Sequence, residues 1–294
     1  MDQYDTIYKI RERFSEISLS KATIVTLFVM LPIALILFIA GAALDGGGLR
    51  MELLISITLY IVPLGLIVFA FQKKNLSLIP ILRDNGKHRS DLLLALPLIV
   101  FSISVVWVTI LLLNYINAGI AQSYLDYLNS VDFLATSEDT PYIDYLFIFI
   151  AIAILPPLVE EIVFRGAMIE RLGRKYSYKT ALIFSAVLFG ILHADVIGAI
   201  AVGLILSLIY LKNDSLFIPI IIHAINNGLV VLYIFLNDNF LHYDTWETTA
   251  SYIEYGWIGL IFFGISGTWL LIYLRKNWNL VFEKGSITDP ITGT

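Results

Sequence analysis

Residues 92–113 read LLLALPLIVFSISVVWVTILLL, and these 22 positions contain no charged side chain. A helix of this length rises about 33 Å, enough to cross a hydrocarbon core of about 30 Å. Over all 294 residues, 58% are hydrophobic and 15% are charged. A soluble domain carries about 25% charged residues, so the composition predicts a membrane protein.

Apolar runs of comparable length recur along the chain and predict its fold class. Each run can cross a bilayer as a helix, because a helix satisfies all its backbone hydrogen bonds internally. We therefore predict an all-α polytopic membrane protein with about eight transmembrane helices in one domain, residues 1–294. The predicted spans are Thr23–Leu44, Leu53–Phe71, Leu92–Leu113, Ile143–Arg165, Lys179–His193, Val196–Leu211, Ser215–Leu236 and Tyr255–Leu274.

The distribution of basic residues predicts the orientation of these spans. Eighteen of the 19 Lys and Arg residues fall in segments on one side, and Arg50 falls on the other. Basic residues are retained on the cytoplasmic side of membrane proteins. We therefore expect the N-terminus and the C-terminus to be cytoplasmic, with residues 275–294 forming a cytoplasmic tail.

Two segments outside the spans have the spacing of amphipathic helices. In residues 1–22, charged residues fill the gaps between Ile7, Ile10, Phe14 and Ile17. This pattern predicts an interfacial helix on the membrane surface, with a solvated tail as the alternative. A second apolar stripe, between residues 120 and 134, predicts another interfacial helix.

Ionisable side chains at membrane depth define the predicted functional site. The first, second, third and eighth spans hold no ionisable side chain apart from tyrosine. Such groups are costly in a membrane and normally face a cavity or each other. The fourth, fifth and seventh spans therefore form a motif-bearing core at about residues 143–236. Its polar and motif residues are Glu160, Glu161, Arg165, Phe189, His193, His223 and Asn227.

The spacing of these residues predicts which side chains pair. Glu161 and Arg165 are four residues apart, in the order that favours an ion pair on one helix face. Glu160 lies about 100° away around the same helix, so it is left to point into a cavity. His223 and Asn227 are also four apart and share one face.

Prolines precede the polar residues on two of these spans. Pro156 and Pro157 come just before the two acids, and Pro219 comes four residues before His223. Proline lacks a backbone N–H, so we expect both helices to kink at these points. Kinked helices can separate around water at membrane depth.

Three motifs on these spans resemble those of a protease family. Glu-Glu-x-x-x-Arg, Phe-x-x-x-His and His-x-x-x-Asn occur in full and in order, beginning at Glu160, Phe189 and His223. This pattern resembles the CPBP family, which comprises the CAAX prenyl proteases and the bacterial bacteriocin-processing or Abi proteins. The resemblance implies an intramembrane endopeptidase acting on a membrane-associated protein or peptide.

The resemblance also bears on substrate, location and partners. Eukaryotic relatives remove the last three residues from prenylated C-termini, whereas bacterial relatives are linked to bacteriocin maturation and self-immunity. The lack of cysteine and of extra domains fits a bacterial member, so we expect a multi-pass protein of the bacterial cytoplasmic membrane. Bacteria generally lack prenylation, which argues against a prenylated substrate but leaves the substrate open. The expected partners are membrane lipid and a membrane-associated peptide or protein, and no nucleic acid.

Peptide hydrolysis needs an activated water and stabilisation of the oxyanion that forms on the carbonyl. We assign Glu160 as the general base, with His193 helping to hold the water. His223 and Asn227 would donate hydrogen bonds to the oxyanion, as the family resemblance also implies. The supporting residues are Glu161, Arg165 and Phe189.

A zinc site is the alternative mechanism. Glu160, His193 and His223 form a two-His, one-Glu ligand set of the metallopeptidase type. The chain contains neither His-Glu-x-x-His nor a cysteine that could supply a thiolate. With Glu160 as a ligand, Glu161 would have to act as base, although Arg165 favours its weakly basic, charged form. We therefore favour a mechanism without a metal cofactor, with zinc as the cofactor of the alternative.

Two other function classes use the same residues. A proton-coupled transporter would use the buried acids and histidines as a relay, but the chain shows no pair of matching interrupted helices in two halves. A non-catalytic membrane partner with an immunity or signalling role would keep the family fold without turnover. A peptide-cleavage assay separates both classes from a protease.

Overall fold

A computed structural model describes part of the chain. The described residues are five isolated positions between residues 26 and 36 and the ranges 3–17, 49–84, 86, 89–130, 136, 139–242 and 248–282. Within these residues every regular element is helical, which confirms the all-α polytopic fold class.

The helices follow one another with short connections. In chain order they are α1 (Gln3–Glu16), α2 (Leu49–Gln72), α3 (Ile79–Leu82), α4 (Arg89–Ile116), α5 (Ala118–Ser130), α6 (Tyr142–Lys175), α7 (Tyr178–Ile191), α8 (Val196–Asn213), α9 (Phe217–Leu241), α10 (Thr249–Glu254) and α11 (Gly256–Asn277). Among the described residues, six of these helices (α2, α4, α6, α8, α9 and α11) are long and apolar enough to cross a membrane.

Seven of the eight predicted spans coincide with helices of the structure. The first, Thr23–Leu44, lies outside the described residues apart from isolated positions. The span predicted as Lys179–His193 corresponds to α7, whose 14 residues rise only about 21 Å, less than a hydrocarbon core. The number of eight spans and the cytoplasmic location of both termini therefore stay predictions.

Helix α6 carries both acids of the predicted site and changes its winding around them. The π-helical turns Ile150–Ile154 and Ile162–Met168 flank the α-helical segment Leu155–Glu161. Pro156 and Pro157 open that segment and cannot donate hydrogen bonds to the preceding turn. The kink predicted at these prolines stays a prediction, and the structure shows π-helical turns on both sides of them, which are frequent at functional sites.

The kink predicted at Pro219 is wrong. Helix α9 begins at Phe217, so Pro219 lies in its first turn. The first four N–H groups of a helix have no acceptor within the helix, and a proline there removes no helical hydrogen bond. His223 therefore stands on a regular helix one turn further along.

Helices α7 and α8 form a tightly packed hairpin. A Cβ atom on Gly190 would lie 2.3 Å from Cγ1 of Ile200 and 2.7 Å from the carbonyl oxygen of Val196. A Cβ on Gly203 would lie 3.1 Å from Cα of Ala186. Small residues thus bring the two backbones close together, as is common between membrane helices.

The apolar face of α1 packs against the helix bundle. Ile10 and Phe14 are fully buried, and a Cβ on Gly166 would lie 2.9 Å from the Phe14 ring. Arg11 Nε donates to Glu170 Oε1 over 2.8 Å. The N-terminal helix is therefore attached to the part of α6 that follows the two acids, and its location at the membrane surface stays a prediction.

Candidate active site

Glu160, His193 and His223 converge between three helices. Oε2 of Glu160 lies 3.9 Å from Nε2 of His193 and 3.9 Å from Nε2 of His223. These distances exceed a direct hydrogen bond and suit a single bridging water. Among the described residues, none donates a hydrogen bond to this buried oxygen. The structure thus brings together polar groups from the three spans that the sequence singled out.

The hydrogen bonds of the two imidazoles determine which nitrogen faces Glu160. His193 Nδ1 lies 2.6 Å from the carbonyl oxygen of Phe189, and His223 Nδ1 lies 3.0 Å from Oε1 of Glu161. Carbonyl and carboxylate oxygens only accept, so Nδ1 carries the hydrogen in each neutral ring. Each Nε2 then presents a lone pair towards Glu160.

Glu161 and Arg165 form the ion pair that their spacing predicts. Arg165 Nη1 donates to Oε1 of Glu161 over 2.9 Å, and both side chains are 0% exposed. Arg165 Nη2 also donates to the carbonyl oxygen of Gly203 over 3.4 Å. Because the same Glu161 oxygen accepts from His223, the pair holds that imidazole in place.

The ring of Phe189 contacts the other residues of the site. Its centroid lies 4.2 Å from that of His193 and 5.7 Å from that of His223. The guanidinium carbon of Arg165 lies 4.4 Å from the same centroid, within the range of a cation–π contact. One buried aromatic ring therefore limits the rotation of three polar side chains.

The buried cluster holds unequal numbers of charges. Glu160 and Glu161 bring two negative charges and Arg165 brings one positive charge, so with neutral histidines the sum is −1. An uncompensated buried charge costs several kcal/mol. A proton on one imidazole, or a bound cation, would balance the cluster.

Asn227 lies one turn beyond His223 and contacts α6. Its Nδ2 donates to the carbonyl oxygen of Ile152 over 3.0 Å. That carbonyl has no α-helical or π-helical donor, because the positions four and five residues later are Pro156 and Pro157. Asn227 therefore satisfies a carbonyl that the prolines leave free, and its second amide hydrogen remains for another acceptor.

One polar contact of the site was not predicted. The hydroxyl of Tyr60 donates to Oε1 of Glu160 over 3.0 Å. Tyr60 lies on α2, which coincides with one of the predicted spans that hold no ionisable side chain apart from tyrosine. The sequence signal is a single tyrosine inside an apolar run, without any spacing relation to the acids.

Exposure differs among the three central residues. The side chain of His193 is 34% exposed, that of Glu160 is 18% and that of His223 is 5%. His193 is therefore the most accessible of the three side chains. Just beyond it, Asp195 accepts a hydrogen bond from the Gly198 amide and caps α8. Burial raises the pKa of the Asp195 carboxyl, and the Gly198 amide opposes this shift.

The three central residues also have the chemistry of a metal site. One ligand atom from each of Glu160, His193 and His223 lies within 4.8 Å of the other two. Two imidazole nitrogens and a carboxylate oxygen are the donors of a His₂Glu zinc site. Both Nδ1–H groups are held by oxygen acceptors, as is usual for metal-binding histidines. The residues of the zinc alternative therefore fit the ion.

Fold and site together define a class of protein. The chain is a multi-pass, all-helical membrane protein with an acid–histidine cluster buried between its helices. Residues 142–229, which carry all three motifs, match the family model "Type II CAAX prenyl endopeptidase Rce1-like". The resemblance seen in the motifs is therefore confirmed for this part of the chain.

Two curated bacterial proteins are similar to the chain. "Membrane-embedded CAAX protease MroQ" of Staphylococcus aureus (strain USA300) is 33% identical over 116 residues, which cover 36% of this chain and 47% of that protein. "Putative membrane peptidase YdiL" of Bacillus subtilis (strain 168) is 32% identical over 83 residues, which cover 27% of this chain and 34% of that protein. The chain therefore spans about half and about a third of the lengths of these relatives. No solved structure matches it.

Proposed function

We propose that the protein is an intramembrane endopeptidase that hydrolyses a peptide bond of a membrane-associated protein or peptide. The observation that carries this proposal is the position of Glu160 Oε2, 3.9 Å from Nε2 of both His193 and His223. Glu160 Oε2 and the lone pair of His193 Nε2 can accept the two hydrogens of one water molecule and leave its lone pairs to attack, while His223 Nε2 faces the same point from the other side. The names of both bacterial relatives agree with a peptidase.

Glu160 acts as the general base in this proposal. Oε2 takes one proton from the water while the water oxygen bonds to the carbonyl carbon of the substrate. Nε2 of His193 accepts the second hydrogen of the water and orients it. The proton on Glu160 then passes to the leaving amine nitrogen as the carbon–nitrogen bond breaks, so that the carboxylate is restored.

His223 and Asn227 are proposed to stabilise the oxyanion. His223 already donates from Nδ1 to Glu161, so its Nε2 donates only when the ring carries a second proton. Asn227 contributes the amide hydrogen that Ile152 does not take.

Zinc-dependent hydrolysis is the second candidate, because Glu160, His193 and His223 fit the ion. A bound zinc would supply Lewis acidity and lower the pKa of a coordinated water. In that arrangement Glu160 is a ligand, so a different group must remove the proton. Glu161 is already held by Arg165 and His223 through one oxygen, which makes it a poor replacement. We therefore favour the mechanism in which Glu160 is the base.

The test is a cleavage assay with purified protein in liposomes and a library of quenched-fluorescence peptides. We expect wild type to cleave some members and Glu160→Gln to cleave none, because glutamine keeps the shape of the side chain but cannot accept the proton. Glu52→Gln on the exposed end of α2 is the matched control and should retain activity. Equal cleavage by wild type and Glu160→Gln would refute the assignment of the base.

The same liposomes, with a second measurement of lumen pH, separate the alternatives that do not involve proteolysis. A non-catalytic membrane partner gives no cleavage with any peptide, although the fold is intact. A proton-coupled transporter instead shows acidification of the liposome lumen when a solute gradient is applied. A CAAX-type substrate predicts that prenylated C-terminal peptides are preferred, and a bacteriocin-type substrate predicts that they are not.

A further inference from the structure

The two oxygens of the Glu160 carboxylate have different surroundings. Oε1 accepts a hydrogen bond from the hydroxyl of Tyr60 over 3.0 Å. Oε2 faces Nε2 of His193 and Nε2 of His223, each at 3.9 Å. Within the described part of the chain, Tyr60 supplies the one hydrogen bond that this carboxylate accepts. One oxygen is therefore held, and the other faces the position assigned to the reacting water.

We propose that Tyr60 is a positioning residue that orients Glu160 for the hydrolysis proposed above, on which this inference rests. The terminal torsion of a glutamate has a broad energy profile, so rotamer preference alone does not set the plane of the carboxylate. The hydrogen bond from Tyr60 sets it and directs Oε2 between the two imidazoles. A misorientation of about 1 Å at a reacting group can reduce turnover by about 10²-fold.

The neighbouring acid shows why Glu160 depends on this contact. Glu161 accepts from both Arg165 and His223, and its side chain is 0% exposed, so several contacts restrain it. Glu160 is 18% exposed and has Tyr60 as its hydrogen-bond donor. Loss of the Tyr60 hydroxyl therefore leaves the Glu160 carboxylate without a hydrogen-bond donor among the described residues. Loss of one donor to Glu161 would still leave that carboxylate held by the other.

The contact also joins the site to a helix outside the segment that matches the protease family. Tyr60 lies on α2 (Leu49–Gln72), whereas the family match covers residues 142–229. Helix α2 packs directly against the segment Leu155–Glu161 of α6. The hydrolytic site thus takes one of its functional groups from the N-terminal part of the chain.

A purely structural role for Tyr60 predicts different behaviour. A hydroxyl in an apolar span needs a partner, and Glu160 supplies one. If this were its whole role, Tyr60→Phe would change stability and leave turnover as it is. If Tyr60 positions Glu160, the same substitution lowers kcat while substrate binding and folding persist.

The experiment compares Tyr60→Phe with Tyr233→Phe, a control at a 48% exposed tyrosine on α9. The probe is a quenched-fluorescence peptide, chosen from a library by cleavage with wild type in liposomes. We expect kcat of Tyr60→Phe to fall on the order of 10- to 100-fold, with KM within about twofold of wild type. Tyr233→Phe should match wild type in both constants. Unchanged kcat in Tyr60→Phe overturns the inference, whether or not its stability falls.

An infrared measurement tests the contact without turnover. Difference spectra against Glu160→Gln identify the antisymmetric carboxylate stretch of Glu160, which should shift in Tyr60→Phe and stay in place in Tyr233→Phe. An unmoved band in Tyr60→Phe overturns the inference. If wild type cleaves no peptide, the proposed function fails and the positioning role fails with it. If wild type cleaves and Tyr60→Phe cleaves equally well, only the role of Tyr60 fails.

Discussion

Replacing Arg165 by alanine removes the positive charge of the buried cluster. The substitution deletes the 2.9 Å hydrogen bond to Glu161, the 3.4 Å hydrogen bond to Gly203 and the guanidinium that lies 4.4 Å from the Phe189 ring centroid. Because Arg165 and Glu161 are 0% exposed, water does not replace these contacts. The charge of the cluster with neutral histidines changes from −1 to −2.

The loss of stability follows from these contacts. Removing one partner of a buried ion pair typically costs about 3–5 kcal/mol, because the other charge is left without compensation. The loss of the desolvated cation–π contact adds about 2 kcal/mol. We expect Arg165→Ala to lower the free energy of unfolding by at least about 3 kcal/mol. The matched control Arg275→Ala, at an exposed arginine near the end of α11, should change it by about 0.5 kcal/mol or less.

The measurement is reversible unfolding in mixed detergent micelles, followed by circular dichroism. Adding Glu161→Gln to Arg165→Ala removes the uncompensated charge, so the double variant should be more stable than the sum of the single losses predicts. Arg165→Ala within about 1 kcal/mol of wild type would contradict the buried ion pair. Additive losses in the double variant would show that the two side chains do not interact.

Three further predictions concern the metal, the topology and the α7–α8 hairpin. Purified active protein should contain well under one equivalent of zinc by elemental analysis and stay active after prolonged chelation; stoichiometric zinc, or activity restored by zinc, supports the metal mechanism instead. Reporter fusions after Lys87 and after Asp244 should report cytoplasmic and external locations respectively, and the same location for both refutes eight spans. Gly190→Ala should lower stability by about 1–3 kcal/mol, because its Cβ would lie 2.3 Å from Ile200. Gly264→Ala is the control, since in the described part of the chain a Cβ there meets no atom within 4 Å beyond its own stretch of helix, and equal stability of the two variants contradicts the close packing.

One expectation failed because a local pattern was given a consequence that depends on context. Pro219 was expected to kink its helix, but α9 begins only two residues earlier and a proline in the first turn breaks no helical hydrogen bond. The amphipathic pattern of residues 1–22 predicts an interfacial helix, which stays a prediction, and the structure adds that Ile10 and Phe14 are buried by the helix bundle. An amphipathic pattern shows that one face is apolar but not which apolar surface covers it.

The sequence by itself predicted most of the helices and identified the acids and histidines that lie together, but not Tyr60. Apolar run length predicts a spanning helix, because the bilayer imposes one thickness on every span. The four-residue spacing of Glu161 and Arg165 predicts their ion pair, because contacts within a helix are local in the chain. The cost of ionisable groups at membrane depth identified the acids and histidines before any contact was known.

Tertiary structure alone decided which atoms of those residues face one another. The Nδ1–H form of His223 depends on Glu161 on another helix, and the donor to the free Ile152 carbonyl is Asn227, 75 residues away in sequence. Tyr60 reaches Glu160 across a separation of 100 residues. Hydrogen bonds between helices depend on how the helices pack, and packing depends on side chains along their whole length. No spacing rule within one helix contains that information.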